Sequence, residues 1–476
     1  MDLHALVDRI NGWVWGMPLV ALCLGAGVIF SVWTRFLQVR HLKAMVGQLW
    51  RGKASEAGIS SFQGFAMALG GRVGTGNIAG VATAIAMGGP GALFWMWAIA
   101  FLGAGSAFIE AALAQVWKEK VEGEYRGGPS YYMARGLGMP WFGALFAAVT
   151  VVSCGLLLPG IQSNSIAAAA QNALKVPTWA SGLLVTGLLG LIIFGGVKRI
   201  GRVAELAVPL MALGYMIMAV VIVVIDWRRV PETFALIFRS AFGLEAAFGG
   251  ITGSAIAWGV KRGIFSNEAG QGTGPQAAAA AEVAHPAQQG LVQAFSVYVD
   301  TLGVCTATGL MLLLTGQYNV VDGKGGFLVQ NLPGVEHGPR FTQAAVDTVL
   351  PGFGPGFVAV ALFFFAFTTL MAYAYYAESN MAYLLRGRRT RWGVTAIRLG
   401  LLGMAYFGAV RTAGLMWAMG DIGVGLMAWL NLIAILLLSR TGVKVLRDYE
   451  AQVKAGGPLT FDPEALGIRN TDCWKR

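Results

Sequence analysis

Five glycines fall within the eleven residues Gly70-Gly71-Arg72-Val73-Gly74-Thr75-Gly76-Asn77-Ile78-Ala79-Gly80, inside an apolar run that would otherwise be a membrane helix. A helix interrupted in this way frees backbone N–H and C=O groups at membrane depth, where they are tolerated only if they line a cavity or bind something. Thr75 and Asn77 add a hydroxyl and an amide to that freed backbone. The chemistry this suggests is binding of a small polar or ionic ligand within the bilayer. Bond-making chemistry has no comparable support. The four histidines, His4, His41, His285 and His337, fall in loops or at segment ends, and neither an HExxH helix nor a nucleophile elbow occurs. A repeated charged ring or carbonyl filter of the channel type is also missing.

Seven charged residues, Arg72, Glu110, Glu245, Asp300, Glu378, Arg398 and Asp421, lie within or close to apolar runs. Each is expensive there and is expected to face the interior of a helix bundle. Arg72, just before the glycine-rich stretch, suits either a gate ion pair or a structural pair with one of the carboxylates.

The elements that must position these residues are membrane helices. The chain is 56% hydrophobic and only 12% charged, with a mean hydropathy of +0.62, about half the charge density of a soluble domain. Its net charge of +11 is scattered over short loops and does not interleave with aromatics on a soluble face, so nucleic acid is not an expected partner. Cys23, Cys154 and Cys305 lie in apolar segments, and with Cys473 they form no CxxC pair, so they read as small hydrophobes. Met1 to Trp13 lacks a basic n-region, so no cleavable signal peptide is expected.

Apolar runs of the length needed to span the bilayer, about 20 residues, recur near 17–33, 62–87, 91–116, 141–170, 179–196, 203–225, 244–263, 291–314, 357–385, 394–410 and 415–438. The expected fold is an all-α polytopic membrane protein of about eleven such helices. The longest gap, Thr315 to Gly356, reads as a loop with at most a short helix. One set of alternate loops, with the C-terminal tail, holds 25 of the 35 Lys and Arg residues, Lys261, Arg262 and the Arg386–Arg391 cluster among them. The positive-inside rule therefore puts the N-terminus outside and the C-terminus in the cytoplasm. An odd count with one leading helix leaves ten, which divide into two inverted fives. Phe248-Gly249-Gly250-Ile251-Thr252-Gly253-Ser254 opens the second five as Gly70–Gly80 opens the first. Paired broken helices at corresponding places point to a transporter site near the midplane. The expected organisation is one transporter unit over 1–475: an extra helix at 17–33, inverted repeats at 62–225 and 244–438, and a basic tail at 439–476.

Four strings carry a family resemblance. They are Gly74-Thr75-Gly76-Asn77-Ile78-Ala79-Gly80-Val81-Ala82, Gly88-Gly89-Pro90-Gly91-Ala92-Leu93-Phe94-Trp95-Met96-Trp97, Gly127-Gly128-Pro129-Ser130-Tyr131-Tyr132 and Gly259-Val260-Lys261-Arg262-Gly263-Ile264-Phe265-Ser266-Asn267-Glu268-Ala269-Gly270. In these the chain resembles the alanine or glycine:cation symporter family, and the likeness runs from about the first helix to the last. The resemblance implies the leucine-transporter fold, a five-plus-five inverted repeat here preceded by one helix. It also implies sodium-coupled symport of a small neutral amino acid, chiefly alanine or glycine, by alternating access. A multi-pass protein of the bacterial inner membrane, in contact with lipid, is the matching location; the oligomeric state is not readable.

In that fold an amino-acid zwitterion needs donors for its carboxylate and acceptors for its ammonium, which unwound half-helix ends supply. Thr75, Gly76 and Asn77 are the implied cradle, with capping of the second half-helix a compatible role for Asn77. The implied sodium ligands are carbonyls around Gly74 and Asn77 with the hydroxyls of Thr368 and Thr369. Gln162 and Asn164 lie on a flanking helix, where substrate or gate contact competes with interhelical bonding. Phe248, Ile251 and Thr252 are expected to wall a methyl-sized pocket. Tyr373 stands where the family often has tryptophan, and Gln271-Gly272-Thr273-Gly274-Pro275 also departs from the usual pattern, so serine or glutamine stays open as substrate. Proton coupling through a buried carboxylate is the alternative to sodium, and a membrane-embedded enzyme or channel is the remote one.

Overall fold

A computed structural model describes residues 3–385 and 390–474. Arg386, Arg388, Arg389, Lys475 and Arg476, which enter the charge count above, lie outside the described residues. Seven described helices are long and apolar enough to cross a membrane: Arg9–Trp33, Gly91–Val116, Pro140–Leu174, Gly196–Ile225, Pro286–Thr315, Gly354–Leu384 and Ala413–Leu437. Thr178–Ile193 and Gly76–Gly88 are shorter apolar helices, and Thr390–Ala409 covers the expected run at 394–410. The helix Gly196–Ile225 leaves Leu206, Leu210, Leu213, Ile217, Val220 and Val224 exposed at three- and four-residue intervals, the stripe of a lipid-facing helix.

Two of the long helices widen into π-turns. In Pro140–Leu174 the π-turn Ser153–Leu157 lies just before Pro159, whose missing N–H and bulky ring the wider turn accommodates. In Pro286–Thr315 the π-stretch Tyr298–Cys305 carries Asp300.

The first broken helix follows the sequence reading. Ser60 and Gln63 form a reciprocal capping box that starts Ser61–Arg72. The chain leaves helical geometry at Val73 and resumes as a π-turn, Gly76–Gly80, and an α-helix, Val81–Gly88.

The second break is not where the sequence reading put it. Gly249–Ile251 is only a short 3-10 turn leading into the unbroken helix Thr252–Asn267. The interruption comes at residues 268–273, before the short helix Gly274–Ala280. Its cause is backbone handedness: Glu268, Gly270 and Gly272 have φ of 55°, 80° and 88°, which no right-handed helix continues through. Lys261 and Arg262 consequently lie inside a helix and not in a basic loop. The two broken elements are tied where the first begins and the second ends, through a parallel bridge between Ile59 and Ala281.

The Thr315–Gly356 gap holds more structure than expected: a hairpin, Asn319–Val321 with Phe327–Gln330, and the helix Pro339–Val349. The C-terminal segment forms the helix Ser439–Ala455 and then folds back. Trp474 Nε1 donates to the Gln115 carbonyl at 2.8 Å and Trp117 Nε1 to that of Arg469 at 3.0 Å.

Candidate functional site

At the first break the freed backbone is claimed by side chains, one from the break itself and one from another helix. The Gly74 amide donates to Asn77 Oδ1 at 2.9 Å, and the Thr75 amide to Gln162 Oε1 at 3.1 Å. The Tyr373 hydroxyl neighbours the same Gln162. Glycine is required here by close approach: a methyl at Gly74 would crowd the Thr369 hydroxyl and Gln162, and one at Gly76 would lie 3.0 Å from the Phe265 ring. The Thr75 hydroxyl is buried without a hydrogen-bond partner among the described residues. Thr369 Oγ1 donates to the Gly70 carbonyl at 2.8 Å and contacts that of Phe365 at 3.0 Å. Thr368 bonds back to Phe364 and Phe365 on its own helix, while its side chain packs on Gly70. Gly74, Thr75, Gly76, Asn77, Gln162, Thr369 and Tyr373 are thus brought together, with Thr368 one step away.

Four expected wall or contact residues are not. Asn164 Nδ2 donates to the carbonyls of Gly408 and Arg411 at 2.9 and 2.6 Å, an interhelical clamp. Phe248 and Ile251 pack toward Gly89, and the Thr252 hydroxyl donates to Gly249 O at 3.0 Å. The reason is the shifted second break: Phe265 and Ser266, more than a dozen residues further along, are what faces Gly76.

The structure adds residues that no spacing rule paired. Asn77 Nδ2 donates to Asp300 Oδ1 at 2.7 Å, and the same carboxylate accepts from Ser266 Oγ at 3.0 and 3.2 Å and from Thr301 Oγ1 at 2.7 Å. Cys305 Sγ lies 3.3 Å from the Asn77 amide. Asn77 therefore serves as a joint between the first break, the second broken helix and the π-stretch around Asp300. Arg72, fully buried, donates through Nε to Asn267 O at 2.6 Å and through Nη1 to Gln293 Oε1 at 2.7 Å and to Ser296 Oγ. Glu110 holds the second break from behind, accepting from the Gly270 amide at 3.2 Å and from Asn431 Nδ2 at 2.8 Å. In the sequence Asp300 and Glu110 stand out only as buried charges and Arg72 as half of an ion pair with a carboxylate; the hydrogen bonds of Arg72 among the described residues go instead to neutral groups, and partners lie up to 321 positions away along the chain.

On one face of the bundle a cavity of about 800 Å³ opens, lined by Thr83, Asn164, Trp258, Arg262, His337 and Trp417 among others. Arg262 pairs bidentately with Asp421 at 2.8 and 2.9 Å, and Lys261 reaches the same carboxylate at 2.8 Å. The Arg262 guanidinium also stacks 4.4 Å from the Trp417 ring, which packs against Phe265 at 4.9 Å. This layer sits over Gly80, one turn from Gly76, and so separates the cavity from the break. The Arg398–Glu378 pair, bidentate at 2.7 Å, belongs to a different, peripheral site. No group of three His, Cys, Asp or Glu suited to a metal ion occurs among the described residues.

Two interrupted helices crossing at mid-bundle, with orphaned polar atoms at the crossing and a plugged cavity above it, form a carrier geometry. Comparison with known proteins agrees. Residues 1–463 match the model of the sodium:alanine symporter family. The chain is 58% identical to a putative sodium/proton-dependent alanine carrier, YrbD, of Bacillus subtilis, over 99% of this chain and 97% of that one. It is 51% identical to the sodium/proton-dependent alanine carrier of Bacillus sp. PS3, over 90% and 97% of the two chains. With a probable sodium/glutamine symporter, GlnT, of Bacillus subtilis it shares 41% identity over 99% and 96%. The chain is an amino-acid carrier of the membrane, not an enzyme, and belongs to the sodium:alanine symporter family.

Proposed function

We propose that this protein couples inward movement of one small neutral amino acid, alanine before glycine, to sodium by alternating access. The observation that carries the reading is the meeting of Thr75–Gly76 with Phe265–Ser266 under Tyr373 and Gln162. Amides of the π-turn Gly76–Gly80 suit a carboxylate, and carbonyl ends of the half-helices suit an ammonium. Gly76, hemmed by Phe265, leaves space for a short side chain only. Sodium wants neutral or anionic oxygens; the Thr369 and Thr368 hydroxyls with carbonyls of Gly70 and Gly74 offer them. Asn77 orients this set through Gly74 and Asp300 instead of ligating the ion itself. The Arg262–Asp421–Trp417 layer is the gate toward the cavity, and the packed inner half, where Gln289 Nε2 donates to Ser61 Oγ at 2.9 Å, is the closed side. The N-terminus lies outside and the C-terminus in the cytoplasm of a bacterial inner membrane.

Proton coupling is the second reading, favoured by the buried carboxylates near the breaks and by the names of the two alanine carriers. Glutamine as substrate is favoured by the GlnT likeness. The deciding experiment is uptake of radiolabelled alanine, glycine, serine and glutamine into proteoliposomes under inward sodium, potassium or proton gradients. Alanine uptake only with sodium is expected, and Asn77→Ala should abolish it. Uptake driven by protons alone would overturn the threonine site, and a preference for glutamine would overturn the small pocket.

A further inference from the structure

The other buried carboxylates described above have their donors. Glu110 accepts two N–H groups, Asp300 an amide and two hydroxyls, Glu378 a bidentate arginine, and Asp421 an arginine and a lysine. Glu268 is different. It stands in the second break, fully buried, and neither of its oxygens has a hydrogen-bond partner among the described residues. Two more buried oxygens without partners gather on it. The Tyr376 hydroxyl and Glu268 Oε2 converge on Gly71, where an added methyl would lie 2.7 and 3.4 Å from them, and the Thr273 hydroxyl neighbours the same carboxylate. Leaving one carboxylate and two hydroxyls unpaired in a low-dielectric interior is costly. A hard cation is the ligand that such an all-oxygen set satisfies.

We infer that Glu268, with Tyr376 and Thr273, seats a second sodium ion that moves with the amino acid. The position is next to the threonine site without sharing its oxygens: the Tyr376 hydroxyl and Glu268 Oε2 converge on Gly71, whereas Thr369 Oγ1 donates to the Gly70 carbonyl at 2.8 Å. Glu268 also ends the helix Thr252–Asn267, where the negative end of the helix dipole favours a cation.

This rests on the sodium-coupled reading above, and one experiment separates the two. In proteoliposomes, the reversal potential of alanine flux is measured at fixed alanine and sodium gradients, alongside direct sodium-to-alanine counting with radiolabels and a pH-gradient arm. Two sodium ions per alanine are expected for the wild type and one for Glu268→Gln. Tyr376→Phe should keep two and raise the half-saturating sodium concentration roughly tenfold, the worth of one buried hydroxyl ligand. One sodium per alanine in the wild type, or two in Glu268→Gln, overturns the inference while leaving sodium coupling intact. So does a charge of two made of one sodium and one proton. If Glu268→Gln is inactive, the wild-type ratio and the Tyr376→Phe shift still decide. A wild type without any sodium drive overturns both readings.

Discussion

Replacing Asn77 by alanine should break the joint on which the first break depends. The substitution removes the acceptor of the Gly74 amide at 2.9 Å and a donor to Asp300 at 2.7 Å. A hydrogen bond to a charged group is worth about 1.5–3 kcal/mol, and an orphaned buried amide costs about 1–3 kcal/mol, so the loss should be roughly 3–5 kcal/mol. The assay is denaturant or thermal unfolding of the purified carrier in detergent, read on Asn77→Ala, Asp300→Asn and the double variant. If Asn77 acts through Asp300, part of its cost vanishes once the carboxylate charge is gone, and the two substitutions should couple by about 1.5 kcal/mol or more. Additive costs, within about 0.5 kcal/mol, would refute the joint. So would an Asn77→Ala carrier of unchanged stability whose only defect is a raised KM for alanine, the mark of direct substrate contact.

Asp421→Asn weakens the partner that Arg262 and Lys261 share; stability should fall by about 3–5 kcal/mol, measured by thermal unfolding, because two buried cations then lack their carboxylate. Gly76→Ala forces a methyl within 3.0 Å of Phe265 and 3.2 Å of the Ser266 backbone, and alanine uptake should disappear while glycine uptake survives better. His285 caps the helix Pro286–Val297, with Nδ1 accepting the Ala287 amide at 3.1 Å and Nε2 facing Asp448 at 3.0 Å. Burial holds its pKa below the usual 6.5, against the opposing pull of Asp448. The unfolded chain takes up the proton first, so this contribution is full above pH 6.5 and is lost as the pH falls through the lower folded value. The protection of amides against exchange in the docked C-terminal helix Ser439–Ala455, relative to their intrinsic rates at each pH, should fall below pH 6.5, and replacing His285 with asparagine should flatten that dependence.

The first break was legible because Thr75 and Asn77 sit among glycines in an otherwise apolar run, a local signal. The second was misplaced for a physical reason. Gly249, Gly250 and Gly253 merely lead into a helix, whereas Gly270 and Gly272 occupy left-handed backbone that stops one. Glycine density does not distinguish the two uses, so Phe248, Ile251 and Thr252 were assigned to a pocket that Phe265 and Ser266 approach instead. Helix extents such as Met17–Trp33 and Gly91–Val116 followed directly from hydropathy. What hydropathy does not carry is pairing. Asn164 and Gln162, two residues apart on one helix, point to different neighbours, one to the carbonyls of Gly408 and Arg411 and one to the break. Arg72 finds Gln293 across 221 positions, a match made by the fold and by no local pattern.

The most direct test of the central claim, that amino acid and sodium meet at the first break, is equilibrium binding of radiolabelled alanine to the purified carrier in sodium and in choline buffer. Binding in sodium that is absent in choline, with Thr369→Val shifting the sodium dependence to higher concentration, is the predicted result. Alanine binding of equal strength in the two buffers would contradict it.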